Sequence, residues 1–160
     1  MNNEIHITRT FDAPLELVFA AWSNADALKQ WYAPPGCSLS YCTVDFRVGG
    51  AFHHCIDTPM GDCWCKGIYQ EIILNRKIVF VIGFSDEAGN SVSDSPAGKD
   101  PEWPMETTVT ITFTESNGKT TLNLHQTADL EVAKRTGAYQ SWLLMFDLLE
   151  KTVGINTASA

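Results

Sequence analysis

The sequence predicts an α+β domain in which a curved antiparallel sheet packs against a long C-terminal helix. Two observations carry this expectation. Short stretches of alternating apolar and polar residues follow one another from Glu4 to Thr127, separated by Gly, Asn, Asp and Pro. A wide apolar stripe then appears over about Glu131–Val153, with Tyr139, Trp142, Leu143, Phe146, Leu149 and Val153 at three- and four-residue spacing. A helix carrying such a stripe must lie on a large surface, and the sheet is the only one available.

Glu4–Phe11 alternates with Ile5, Ile7 and Phe11 on one side and reads as the first strand, ended by Asp12-Ala13-Pro14. Pro14 suits a first helical position, because its missing N–H would have no intrahelical partner there. Leu15–Trp22 places Leu15, Val18, Phe19 and Trp22 on one face, and Asn24 can cap a second short helix over Ala25–Gln30. Trp31-Tyr32-Ala33-Pro34-Pro35-Gly36 breaks that helix. Segments near Cys37–Phe46, Ala51–Asp57, Cys63–Ile73 and Ile78–Phe84 read as successive strands. Asp86–Trp103 is rich in Ser, Asp, Gly and Pro and reads as an exposed, mobile loop. Thr107–Glu115 and Lys119–Thr127 flank Ser116-Asn117-Gly118 as the last pair of strands.

The chain has 160 residues, which suits a single domain that buries a core without metals or disulfides as props. We expect that domain to span residues 1–155, with 156–160 a disordered tail. A net charge of −8, with 11 basic residues spread along the sequence, argues against nucleic acid as a partner. The N-terminal residues show neither a basic nor an apolar leader pattern, and no long apolar run occurs, so a cytoplasmic protein without membrane contact is expected. Five cysteines, an odd number, fit reduced thiols better than a disulfide framework.

Strand parity can be argued from the polar residues. Lys66 and Gln70 prefer water, which sends Cys63, Cys65, Gly67 and Tyr69 inward. Asp57 faces out, which sends Phe52, His54 and Ile56 inward. Pairing these strands places His54 near Cys65 and Ile56 near Cys63, while His53 and Cys55 fall on the outer surface. Gln126, in alternation with Leu122 and Leu124, points inward and must find a partner, since an unpaired buried amide costs on the order of 1–3 kcal/mol. Asp45 and Arg47 before Gly49-Gly50 read as a local pair serving a bend or bulge. Ser141 has no His within helical reach to activate it and reads as a small packing residue.

Six pieces of the chain, in order, carry a family resemblance. They are Ile7-Thr8-Arg9-Thr10-Phe11-Asp12-Ala13-Pro14, Val18-Phe19-Ala20-Ala21-Trp22, Leu28 to Trp31 with Pro34, Asp45-Phe46-Arg47-Val48-Gly49-Gly50, Gly67-Ile68-Tyr69-Gln70-Glu71-Ile72, and Ser141-Trp142 with Phe146-Asp147 and Leu149. Together they resemble the single-domain bacterial relatives of the activator of the heat-shock-protein-90 ATPase, within the START-like helix-grip (SRPBCC) superfamily. The resemblance implies seven antiparallel strands gripping the C-terminal helix, two short helices after the first strand, and a cavity between sheet and helix. It also exposes departures. Gln126 stands where relatives tend to place His, Ile56 where they place Met, and Ser141 where they place Gly.

On these grounds a hollow walled by Trp31, Tyr41, His54, Ile56, Cys65, Phe80, Gln126, Tyr139, Trp142 and Phe146 is expected to bind a small hydrophobic molecule. The alternatives are a cyclase- or aromatase-like enzyme using His54 or Tyr139, and a chaperone-accessory or stress-response module. Cys63-x-Cys65 with His54 supplies too few ligands for a closed zinc site, so no metal is expected. No phosphate-cradling glycine loop occurs, and no cofactor is expected. A homodimer is admissible, with no residue assignable to its interface.

Overall fold

The structure, a computed structural model, describes residues 3–92 and 102–158, with side chains described as far as Gly154. Along the chain run β1 (Glu4–Phe11), α1 (Leu15–Ala20), α2 (Ala25–Leu28), β2 (Ser38–Val44), β3 (Ala51–Thr58), β4 (Gly61–Ile73), β5 (Lys77–Phe84), β6 (Glu106–Ser116), β7 (Lys119–Asp129), α3 (Leu130–Thr136) and α4 (Ala138–Ala158). All seven strands form one antiparallel sheet in the order β1-β7-β6-β5-β4-β3-β2. This is the helix-grip arrangement.

Local chemistry accounts for the connections. Asn117 and Gly118 both take positive φ, 55° and 78°, the geometry that lets a tight β6–β7 turn match strand twist. Pro14 sits at the cap of α1 with extended backbone, so the helix starts one residue later than expected. The Asn24 side chain accepts a bond from the Ala27 N–H and caps α2, which stops at Leu28 rather than Gln30. At the Gly49-Gly50 bend, the Gly49 N–H donates to the Tyr69 carbonyl at 2.8 Å and the Tyr69 N–H to the Gly50 carbonyl at 2.9 Å. Arg47 pairs with Asp45 at 2.9 Å on the exposed side of that bend, away from the interior.

The C-terminal region departs from the expected single helix. Gly137 adopts φ +89°, the left-handed conformation that ends a helix at little cost for glycine, and it divides the segment into α3 and α4. Asp129 accepts the Val132 N–H at 2.9 Å and fixes where α3 begins. The second helix continues to Ala158, beyond the boundary at residue 155; residues 159–160 lie outside the described residues. Of the Asp86–Trp103 segment, Asp86–Asn90 closes a turn through the Asp86 carboxylate, and residues 93–101 lie outside the described residues.

Beneath the middle of α4 the interior is solid. Trp22 and Trp31 rings lie 4.6 Å apart, Trp142 and Phe146 5.6 Å, and Phe146 meets Trp31 and Phe11 at 6.3 Å each. Ile5, Val109, Ile111, Leu122, Leu124 and Leu149 complete this fully buried block. Burial alternates along β6 and β7, as a sheet with one covered face requires.

The outer face differs from expectation at two residues. A bulge between Leu39 and Tyr41 shifts the alternation of β2, so Tyr41 points outward and is 43% exposed. There it packs against His53 and Trp64 at 5.6 and 5.4 Å. Cys55, expected at the surface, is buried because its register neighbours Tyr41 and Trp64 cover it.

Candidate functional site

Small side chains and two glycines open the interior where the aromatic block ends. Because α4 restarts at Ala138, its first turn offers only Ala138 and Ser141 to the sheet, whereas the next turns offer Trp142, Met145 and Phe146. The result is a cavity of about 250 Å³ between the α3–α4 junction and one end of β3–β7. Its sheet wall comprises Ile56 and Thr58 from β3, Cys63 and Cys65 from β4, Ile82, Gly83 and Phe84 from β5, Thr107 from β6 and Gln126 from β7. Thr136, Gly137, Ala138 and Ser141 roof it, and Pro34, Cys37 and Trp103 form the rim. Such a volume corresponds to roughly eight waters at about 30 Å³ each, the scale of a substituted aromatic ring.

A buried polar relay marks the boundary between cavity and block. The Trp142 indole N–H donates to Gln126 Oε1 at 2.9 Å, and Gln126 Nε2 donates to Thr107 Oγ1 at 2.9 Å. The inward amide therefore has protein partners, and an amide with two N–H donors keeps one beyond the bond to Thr107. Gln126 and Thr107 are the cavity's main fixed polar groups.

The cross-strand register places His54 opposite Cys65 and Ile56 opposite Cys63, as parity reasoning expected. The consequence differs from expectation for His54. Its ring lies against Phe52 and Tyr32, at 5.7 and 5.3 Å, and faces a separate void of about 20 Å³ shared with Trp22, Tyr69 and Phe80. Among the described residues neither ring nitrogen has a hydrogen-bond partner, and nor does Trp22 Nε1. Burial, with a smaller contribution from His53, pushes the imidazole pKa down to about 4, so His54 is neutral near pH 7. The Tyr32 and Tyr69 hydroxyls are pushed up mainly by burial. A hydrogen bond with Cys63 and burial together push the Cys65 thiol well up.

Of the ten residues expected to wall one hollow, Ile56, Cys65 and Gln126 line this cavity. Trp31, Trp142 and Phe146 belong to the solid block, with Trp142 acting on the cavity through Gln126. His54 and Phe80 border the smaller void. Tyr139 is half-buried beside the cavity, with the Lys134 ammonium 5.7 Å from its ring centre, and Tyr41 lies on the opposite face of the sheet. Sequence reasoning missed Thr107, Ser141 and Trp103 as lining residues. Thr107 has the same parity as Val109 and was within reach of that argument, whereas Trp103 ends a polar loop and carries no periodic signal. Among the described residues, no group of three or more His, Cys, Asp or Glu side chains is placed to hold a metal ion. No described helix is long and apolar enough to cross a membrane.

Comparison with known proteins agrees with this architecture. A crystal structure of a protein from Chromobacterium violaceum superposes with a TM-score of 0.75 at 24% identity, covering 94% of this chain and 96% of that one. A solution structure from Staphylococcus epidermidis gives 0.75 at 26% identity, covering 98% and 92%. The crystal structure of a protein from Silicibacter pomeroyi described as AHSA1 gives 0.72 at 17% identity, covering 96% and 99%. No curated protein matches. The family model described as Activator of Hsp90 ATPase homolog 1-like protein matches residues 12–154, nearly the whole domain from the end of β1 into α4. The chain belongs to the Activator of Hsp90 ATPase homolog 1-like family.

Proposed function

We propose that this protein binds a small, mostly apolar molecule in the cavity at the α3–α4 junction and acts without catalysis. The single observation that carries this reading is the composition of the cavity wall: apolar and small side chains, with Gln126 and the Thr58, Thr107, Thr136 and Ser141 hydroxyls as polar groups and, among the described residues, no His, Asp, Glu, Lys or Tyr. A site of that make-up supplies affinity through burial and orientation through one or two hydrogen bonds. Proton transfer needs a positioned acid or base within hydrogen-bond reach, and the candidate His54 faces the neighbouring void instead.

Indole and a series of substituted single-ring aromatics, titrated against the purified protein, test the reading. At a hundred times its dissociation constant a ligand stabilises the fold by about 2.7 kcal/mol, which a thermal melt detects. Amide shifts should concentrate at Ile56, Thr107 and Ser141. Ser141→Phe, which fills the cavity from the roof, should remove the response while the circular dichroism spectrum stays that of the wild type. The reading fails if no member of the series binds, or if the filled variant responds as the wild type does.

A further inference from the structure

Three of the five cysteines, Cys37, Cys63 and Cys65, border the one cavity. Cys63 and Cys65 stand two residues apart on the same face of β4, so their Cα atoms are separated by about 6.6–6.8 Å, twice the rise of a strand. That spacing is the upper limit for a disulfide, whose Cα atoms usually lie about 4.4–6.8 Å apart. Pairing resists a pucker that would shorten it, because β4 is paired with β3 from Cys63 to Cys65, the Trp64 carbonyl accepts the Ser85 N–H at 2.9 Å, and pairing with β5 begins at Cys65. Two thiols held in this way resist joining each other directly, yet one intervening atom can bridge them.

The surroundings select which atom. Ile56, Ile82 and Phe84 border the pair, and among the described residues no Lys or Arg lines the cavity. A two-coordinate monovalent soft ion such as silver(I), bound by two thiolates, would leave a net negative charge there, which a low-dielectric site disfavours, and mercury(II), neutral in the same arrangement, brings no organic group to fill the apolar space. A trivalent arsenic centre carrying one organic group forms a neutral adduct with two thiols, and its organic group needs an apolar space beside them.

We propose that Cys63 and Cys65 form a two-thiol clamp for a mono-substituted trivalent arsenical, whose organic group occupies the cavity beneath Ala138 and Ser141. Capture of the oxide is a condensation. Two As–S bonds form, the two S–H bonds and the arsenic–oxygen double bond break, and both thiol protons leave on that oxygen as water. Arsenic remains trivalent, and no oxidant or reductant is consumed. This inference deepens the ligand-cavity reading, since it names a ligand class for the same space.

The test uses the reduced full-length chain and phenylarsine oxide. Native mass spectrometry should show one phenylarsenic group gained with loss of one water. Indole, which cannot bond to sulfur, should be displaced. Cys63→Ser and Cys65→Ser should each weaken capture by on the order of 10²-fold or more, because the second bond then loses its intramolecular advantage. Cys63→Ala and Cys65→Ala should do the same, and the indole response of each variant reports whether its fold is retained. Cys42→Ser and Cys55→Ser, which lie outside the cavity lining, should leave capture unchanged. Capture that survives loss of Cys63 or Cys65, or that requires Cys37, overturns the clamp. Silver(I) outcompeting phenylarsine oxide for the pair overturns the ligand class. Indole binding without arsenical capture defeats the clamp alone; arsenical capture without any aromatic binding defeats the apolar-ligand reading alone.

Discussion

Gln126 ties together three elements through two hydrogen bonds, and its worth can be read by removing it. Gln126→Leu leaves the Trp142 indole N–H and the Thr107 hydroxyl without these partners in a buried place. The variant should lose on the order of 1–3 kcal/mol in urea denaturation, while Gln126→Glu at low pH should lose less, since a protonated carboxyl can still donate and accept. His54 makes a different contribution, through pH. Its folded pKa of about 4 lies below the ordinary value of 6.5, so between these values the unfolded chain binds the extra proton. Stability should therefore fall as pH drops from about 6.5 towards 4, by about 3 kcal/mol for a depression of this size, and change little from this group above 6.5. His54→Phe should flatten that slope in denaturation curves taken from pH 7 to pH 4. The same slope in both proteins would assign the acid sensitivity to other groups.

At the scale of elements, the break at Gly137 decides where the cavity lies. A Cβ at this position meets nothing within 4 Å, so the strain of Gly137→Ala is entirely that of φ +89°. The substitution should cost about 1 kcal/mol in chemical denaturation. Asp129→Ala, which removes the cap of α3, should cost a similar amount, about 1 kcal/mol. A helix running unbroken through residue 137 would instead make Gly137→Ala stabilising by about 0.5–1 kcal/mol. The elements themselves were largely legible: β1 falls at Glu4–Phe11 as its alternation predicts, and each other strand lies within a few residues of its predicted span. What sequence did not yield was local. The apolar stripe of α4 masked Thr136-Gly137 as a helix end, and a bulge at Leu39–Tyr41 reversed the side on which an aromatic residue appears. Both are backbone events of a single residue, and hydrophobic periodicity averages over such events.

For the molecule as a whole, packing is uneven across the sheet. The β1-β7-β6 side lies under the aromatic block, whereas β2 is an edge strand whose residues are mostly exposed or half-buried. Amide exchange should be slowest at Ile111, Leu122 and Leu124 and faster by orders of magnitude along β2, reflecting local opening without global unfolding. Uniform protection across all seven strands would contradict this gradient. The cavity lies at one end of β3–β7, beyond the aromatic block, which explains why the site was only partly readable. Ile56, Cys65 and Gln126 followed from parity, but the place where the interior is empty depends on which rings fill the rest, and that is a three-dimensional property of Trp22, Trp31, Trp142 and Phe146 acting together.

The five tryptophans are distributed so that the protein carries its own optical calibration. Trp22, Trp31 and Trp142 are buried in the block, Trp103 stands at the cavity mouth, and Trp64 lies on the far side of the sheet against His53, 5.0 Å away. A guest entering the mouth should alter the emission of Trp103 while Trp64 acts as an insensitive reference. With Trp103→Phe and Trp64→Phe, occupancy can be followed by fluorescence lifetime without attaching a dye.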